Sequence, residues 1–273
     1  IFALPFALLG FFLGTQDVGM LSWQKLGLVV LCMVFARSAA MAFNRYLDRD
    51  IDEKNPRTAV REIPAGKITS RSARWFVVGN GVAFVLTTWF INPLCFYLSP
   101  VALAVILGYS YTKRFTYLCH FVLGLGLALA PVGAYLAVTA QWAVLPILYG
   151  LVVLFWVAGF DIIYALQDEE FDRGLQLQSI PVRLGRNGAL RLGRFLHLVC
   201  GTLLVAAVYW QLDAYPAVGW LTIVAGVAFG ALLFYQHQLV SPSDLSKVNL
   251  AFFTTNGVAS LLFGGLCIVD MLV

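Results

Sequence analysis

A chain of 273 residues that is 60% hydrophobic and 12% charged, with a mean hydropathy of +0.83, is not an ordinary soluble domain, since such domains are nearer half apolar and a quarter charged. Apolar runs long enough to cross a bilayer recur along its whole length, which points to an all-α polytopic membrane protein surrounded by membrane lipid, and the short alternating segments of a β-barrel are absent. The formal charge of +4 is small and its carriers sit at helix ends of an apolar chain, so a nucleic-acid partner has no support.

A window of about 20 residues per span predicts roughly nine transmembrane helices. The first is expected at about 1–15, where the absence of a basic start and a cleavage site argues against a signal peptide. The second, about 22–46, runs into Asn44-Arg45-Tyr46-Leu47-Asp48-Arg49-Asp50-Ile51-Asp52. A polar loop at about 47–70 follows, with turn signals at Asn55-Pro56-Arg57-Thr58 and Ile63-Pro64-Ala65-Gly66. The third span, about 72–91, stops at Asn92-Pro93. The fourth, about 94–112, runs into Lys113-Arg114. The fifth, about 116–139, carries Pro131 and Gly133 and is expected to kink. The sixth, about 142–166, delivers Asp161 and is followed by a second polar loop at about 167–186 with Asp168 and Asp172. The last three lie at about 188–211, 216–238 and 247–271.

Lys and Arg concentrate in four segments, at 45–74, 113–114, 173–194 and Lys247, with only Lys25 and Arg37 elsewhere. The intervening loops are nearly free of positive charge. By the positive-inside rule the four basic segments are cytoplasmic. They follow the even-numbered spans, so both acidic clusters are expected on one membrane face with Lys113. The two acid-bearing loops also suggest two pseudo-repeats, roughly 1–112 and 113–273, in one transmembrane domain. Five scattered Cys without a CxxC read as buried thiols, and Gly124-Leu125-Gly126 reads as helix-packing small residues.

The chemistry resides in the acids. Asn44, Asp48 and Asp52 at four-residue steps place three oxygen donors on one helix face. Asp168 and Asp172 repeat the step, and Asp161 lies two turns deeper on the same side. Oxygen donors of this kind suit a hard cation such as Mg²⁺, which prefers one or two carboxylates plus substrate phosphates. Lys113, with Tyr109 four residues before it, would join Arg57 and Arg61 in surrounding a diphosphate; Lys113 as a mere topology anchor is the plainer alternative. Arg45 and Arg49 turn away from the Asp48 face, and Asp50, Glu53, Glu169 and Glu170 read as rim or loop residues. Arg37, two turns before Asn44 on the same face, needs an anion. That anion is either a protein carboxylate such as Asp161 or a carboxylate of the substrate.

Taken together, Asn44-xxx-Asp48-xxx-Asp52, Tyr109-xxx-Lys113 and Asp161…Asp168-xxx-Asp172 resemble the signature set of the UbiA superfamily of intramembrane prenyltransferases, in the family's order and across nearly the whole chain. The resemblance implies nine helices around a central cavity capped by cytoplasmic loops. It implies Mg²⁺ held through Asn44, Asp48, Asp52, Asp168 and Asp172, and a polyprenyl diphosphate touched by Arg57, Arg61, Lys113 and Tyr109. Asp161 matches a further cavity aspartate, and Arg37 a position that faces the acceptor's carboxylate in members using aromatic acids. Arg45 departs from the family, many members having Asp there. The wording from Ala36 to Arg45 is closest to the branch serving 4-hydroxybenzoate and similar quinone precursors. The implied reaction is Mg²⁺-dependent transfer of a polyprenyl group to an aromatic acid, with Asp48, Asp161 and Arg37 as catalytic candidates. Dihydroxynaphthoate and haem are alternative acceptors. Outside the family, a secondary transporter would also carry repeats and intramembrane charge, but its polar site would lie at the bilayer midplane rather than at one face.

Overall fold

The computed structural model describes residues 2–216 and 218–273. The described residues are helical throughout, without strands: α1 Leu4–Val18, α2 Trp23–Leu47, the short α3 Arg49–Asp52, α4 Ser70–Trp89, α5 Pro93–Thr112, α6 Cys119–Thr139, α7 Val144–Ala165, the short α8 Glu169–Gly174, α9 Ile180–Ala214, α10 Trp220–Gln238 and α11 Asn256–Leu272. A 3₁₀ turn, Leu166–Asp168, joins α7 to α8, and a π-helical turn, Leu250–Thr255, leads into α11. Seven segments are long and apolar enough to cross a membrane; α1 is apolar but shorter. With α4, this makes nine bundle helices among the described residues, in the expected order.

The helix starts follow local chemistry. Ser22, Thr69, Asn92 and Ser179 each accept a hydrogen bond from the backbone N–H three residues on, satisfying donors the first turn leaves unpaired. Asn92-Pro93 therefore opens α5 rather than only ending α4. The same logic corrects the start of the seventh span. Ser179 caps and Pro181 occupies the first turn, so α9 begins at Ile180 instead of about 188. It bends at Gly185, whose φ of 66° a side-chain-bearing residue would resist.

The core is aromatic. Phe6, Trp156, Phe160, Phe229 and Phe263 are fully buried or nearly so and meet edge-on, tilted or stacked at centroid distances of 5.2–6.2 Å. They tie α1, α7, α10 and α11 into one wall. Backbones approach closely where glycine permits. A Cβ on Gly10 would run into Pro131 O, and one on Gly124 would meet Leu154 O at 2.5 Å. Gly124 thus packs α6 on α7 as expected, whereas Gly126 has room to spare. Lipid-facing positions carry large apolar residues, and Trp23, Trp89, Trp142 and Trp220 stand exposed at or near helix ends, as interfacial aromatics do. All five cysteines are free thiols.

Candidate active site

The two acidic clusters meet at one end of the bundle. They line a cavity of about 230 Å³ with Asn44, Asp48, Asp52, Arg57, Arg61, Tyr109, Lys113, Asp161, Asp168 and Asp172 on its wall. Every site residue expected from sequence lies there except Arg37.

Local breaks position the acids. α2 stops at Leu47, and Asp48 takes φ −90° and ψ 6°. The backbone reconnects at once, Asp52 N–H donating to Asp48 O at 2.7 Å, so the four-residue spacing still stacks the side chains although the helix is not continuous. The following loop closes as its sequence suggests. Thr58 N–H donates to Asn55 O, Arg57 N–H to the Asn55 side chain, and Thr58 Oγ1 to Asp52 O. Gly66 turns the chain back with φ 72°. On the other side, the 3₁₀ turn shifts Asp168 off the α7 axis. Gln178 N–H donates to Lys113 O at 2.7 Å, fastening the second acidic loop to the end of α5.

The acids expected as metal ligands each lie against an Arg or Lys, in four ion pairs. Arg57 grips Asp168 with two nitrogens, and Asn55 donates to the same carboxylate at 3.1 Å. Arg61 Nη1 lies 2.7 and 2.8 Å from the two oxygens of Asp52. Lys113 Nζ lies 2.9 Å from Asp172 Oδ1, and Arg114 Nη2 lies 3.0 Å from Asp48 Oδ1. Asn44 donates to Asp48 Oδ2 at 3.1 Å. Burial pushes the Asp48 carboxyl up, and the pull of Arg114 and Lys113 in the other direction does not fully offset it. Burial opposes the Lys113 ammonium, but the neighbouring Asp172 outweighs it and holds the amine above its usual range.

No three His, Cys, Asp or Glu side chains among the described residues converge closely enough to hold a metal by themselves. The donor set nevertheless fits a hard cation shared with a ligand. Asp48 Oδ1 and Asp172 Oδ1 are buried yet accept no well-aligned hydrogen bond, despite the nearby cations. Mg²⁺ takes few protein carboxylates and keeps phosphate or water oxygens for the rest of its shell.

Arg37 does not pair with Asp161. It is exposed and makes no ion pair or side-chain hydrogen bond among the described residues. Asp161 instead receives a hydrogen bond from His120 Nδ1 at 2.7 Å. Glu169 is also not a rim residue. It is buried and bound by Arg173 and Arg186 outside the cavity, bracing α8 against α9. Arg45 and Arg49 do turn away, toward Glu62 and Asp50.

Sequence reasoning missed four contributors: Asn55, Arg114, His120 and Tyr164. Arg114 was visible as the neighbour of Lys113. Tyr164 was visible by spacing, three residues after Asp161 and four before Asp168 on one helical face. Its hydroxyl accepts from Arg57 Nη1 at 3.3 Å and its ring lies under the guanidinium. His120 was visible as an imidazole in an apolar run.

Known proteins resemble the chain over nearly its whole length. The family model described as the UbiA prenyltransferase family matches residues 3–258. A 4-hydroxybenzoate octaprenyltransferase from Tolumonas auensis is 30% identical over 251 residues, 92% of this chain and 85% of that protein. The apo structure of a UbiA homolog from Aeropyrum pernix superposes with a TM-score of 0.87 at 31% identity, covering 99% of this chain and 97% of that one. A UbiA homolog from Archaeoglobus fulgidus, bound to DMAPP and Mg²⁺, has the same fold, with a TM-score of 0.72 at 21% identity over 100% and 96% of the two chains.

Proposed function

The chain belongs to the UbiA prenyltransferase family, and from that premise we propose that it transfers a prenyl group from a polyprenyl diphosphate to an aromatic acid of the 4-hydroxybenzoate type, with Mg²⁺. The observation that carries the reading is the cavity in which Asp48, Asp52, Asp168 and Asp172 each face their own Arg or Lys. Such a ring of equal and opposite charge accepts an anion and a cation together. Arg57, Arg61, Lys113 and Arg114 would hold the diphosphate oxygens, and the carboxylates, with Asn44, would hold the metal. When bound, Mg²⁺ supplies Lewis-acid stabilisation of the leaving pyrophosphate.

The remaining work falls to the protein. The basic residues bind the diphosphate and stabilise the charge that grows on it as the allylic C–O bond breaks. Tyr109 lines the same wall as Asp48 and Asp161. The apolar bundle excludes water that would capture the allylic cation. Arg37, exposed two turns before Asn44, is suited to the acceptor's carboxylate. The relatives' 4-hydroxybenzoate name and the DMAPP and Mg²⁺ of the Archaeoglobus protein support these assignments. The positive residues beside the cavity support a cytoplasmic opening in a cell's inner membrane.

Product mass spectrometry after incubating the protein in detergent with Mg²⁺, a polyprenyl diphosphate and a panel of aromatic acceptors tests the reading. A prenylated 4-hydroxybenzoate is the expected product. A prenylated dihydroxynaphthoate or haem would replace the acceptor assignment, and no transfer to any acceptor would sink the reading. Asp48→Ala and Asp168→Ala are each expected to abolish transfer while the protein still folds.

A further inference from the structure

We propose that His120 is a positioning residue that aims Asp161 as the proton acceptor of the ring substitution, an inference that rests on the transfer reaction proposed above. Five aspartates line the cavity, and four of them face a permanent cation. Asp161 is the exception among the described residues, with only an imidazole beside it. It is also set apart in depth. Seven residues before Asp168 on α7 and its 3₁₀ extension corresponds to about 10 Å along a helix, away from the diphosphate-binding ring and toward the interior where an acceptor ring would lie.

The protonation pattern of His120 follows from its two partners. The backbone N–H of Ile180, the first residue of α9, points at Nε2 from 3.3 Å. An N–H can only donate, so Nε2 carries the lone pair and the proton sits on Nδ1. Nδ1–H then donates to Asp161 Oδ2 at 2.7 Å. The ring is buried, with 2% of its surface exposed, and is fixed at both nitrogens. Asp161 is thereby held by one oxygen, while Oδ1 accepts no hydrogen bond among the described residues and the side chain stays open to the cavity.

The allylic C–O bond breaks and its electron pair leaves with the diphosphate. The ring carbon beside the hydroxyl supplies the pair for the new C–C bond. The proton on that carbon passes to Asp161 Oδ1, and its bonding pair restores the aromatic ring. The carboxylic acid then returns the proton to water through the open mouth. His120 touches none of the reacting atoms; it keeps Oδ2 occupied and Oδ1 directed.

Two substitutions separate this role from a structural one. His120→Asn retains a donor where Nδ1–H stood but loses the acceptor for Ile180. His120→Gln retains an acceptor near Nε2 but loses the donor to Asp161. Steady-state kinetics with 4-hydroxybenzoate and a polyprenyl diphosphate should show His120→Gln losing kcat about 10²-fold, with both KM values within threefold of wild type. His120→Asn should stay within about tenfold of wild-type kcat. Combining His120→Gln with Asp161→Asn should cost no more than Asp161→Asn alone, because the two act as a unit. The opposite order, with Gln active and Asn inactive, would assign His120 to the α9 start and overturn the proposal, as would equal loss in both or additive losses in the double variant. Wild-type protein that prenylates no acceptor would instead overturn the underlying reaction.

Discussion

Arg114 shows how much one side chain governs this site. It reaches across from the end of α5 to donate to Leu47 O and to lie 3.0 Å from Asp48 Oδ1, so it both ends α2 and neutralises the first acid of the cavity. Asp48 is disfavoured as a carboxylate by its burial, and removing Arg114 leaves only the weaker pull of Lys113 against that cost. Arg114→Gln is therefore expected to raise the KM for polyprenyl diphosphate at least tenfold, with Arg114→Lys intermediate, because the point charge survives but the fork to Leu47 does not. A wild-type KM in Arg114→Gln would remove Arg114 from the site. Arg37 makes the complementary prediction. It lies outside the ring of ion pairs, so Arg37→Ala should raise the KM for the aromatic acid about tenfold or more and leave the KM for the diphosphate unchanged. If the acceptor's KM stays put, its carboxylate is read elsewhere.

At the scale of elements, the π-helical turn before α11 links the core to the cavity. A π turn frees backbone carbonyls from the regular ladder. Asn256 answers them, its Nδ2 donating to Ala251 O at 3.2 Å and Phe252 O at 2.9 Å while its Oδ1 accepts from Trp156 Nε1 at 2.9 Å. Gln236 Nε2 adds a further donor to Ala251 O. The turn presents Phe252 flat against Tyr164, at 4.0 Å between centroids and 30° between planes, and Tyr164 in turn contacts Arg57. Asn256→Leu should cost about 2–4 kcal/mol, since it leaves buried partners unpaired, and should lower transfer activity through Arg57. Thermal unfolding in detergent beside the activity assay checks both; a stable variant with normal activity would cut this link. Gly124→Val should likewise destabilise by about 1–3 kcal/mol, because the new Cβ meets the Leu154 carbonyl and the helices must part. The helices themselves were legible because hydropathy and caps act locally, and Asn44, Asp48 and Asp52 were legible because spacing fixes a helix face. The π turn, the His120 contact with Asp161 and the pairing of each acid with a particular cation were not. They depend on which helix end arrives opposite: of the two anions the sequence offers Arg37, a protein carboxylate such as Asp161 or one on the substrate, Asp161 is taken by His120.

For the molecule as a whole, charge balance sets the conditions of binding. The cavity's four ion pairs cancel before any ligand arrives. Pyrophosphate alone would add negative charge beside Asp48, Asp52, Asp168 and Asp172, while Mg²⁺ alone would add positive charge beside Arg57, Arg61, Lys113 and Arg114. In a cavity screened by an apolar bundle, either imbalance is costly, whereas the two ligands together offset much of each other's charge and let each protein charge find an opposite partner. The two ligands should therefore bind with strong positive coupling, in which each raises the affinity for the other by the same factor. Titrating inorganic pyrophosphate by calorimetry in detergent should give at least tenfold tighter binding with saturating Mg²⁺ than with EDTA, a coupling of about 1.4 kcal/mol or more. Asp168→Asn should weaken the coupling more than it weakens pyrophosphate binding in EDTA, because it deletes an oxygen that only the metal-bound state needs while leaving Arg57 available to the phosphate. Equal pyrophosphate affinity with and without Mg²⁺ would mean that the carboxylates never leave their basic partners, and the exchange of partners on which the site depends would not occur.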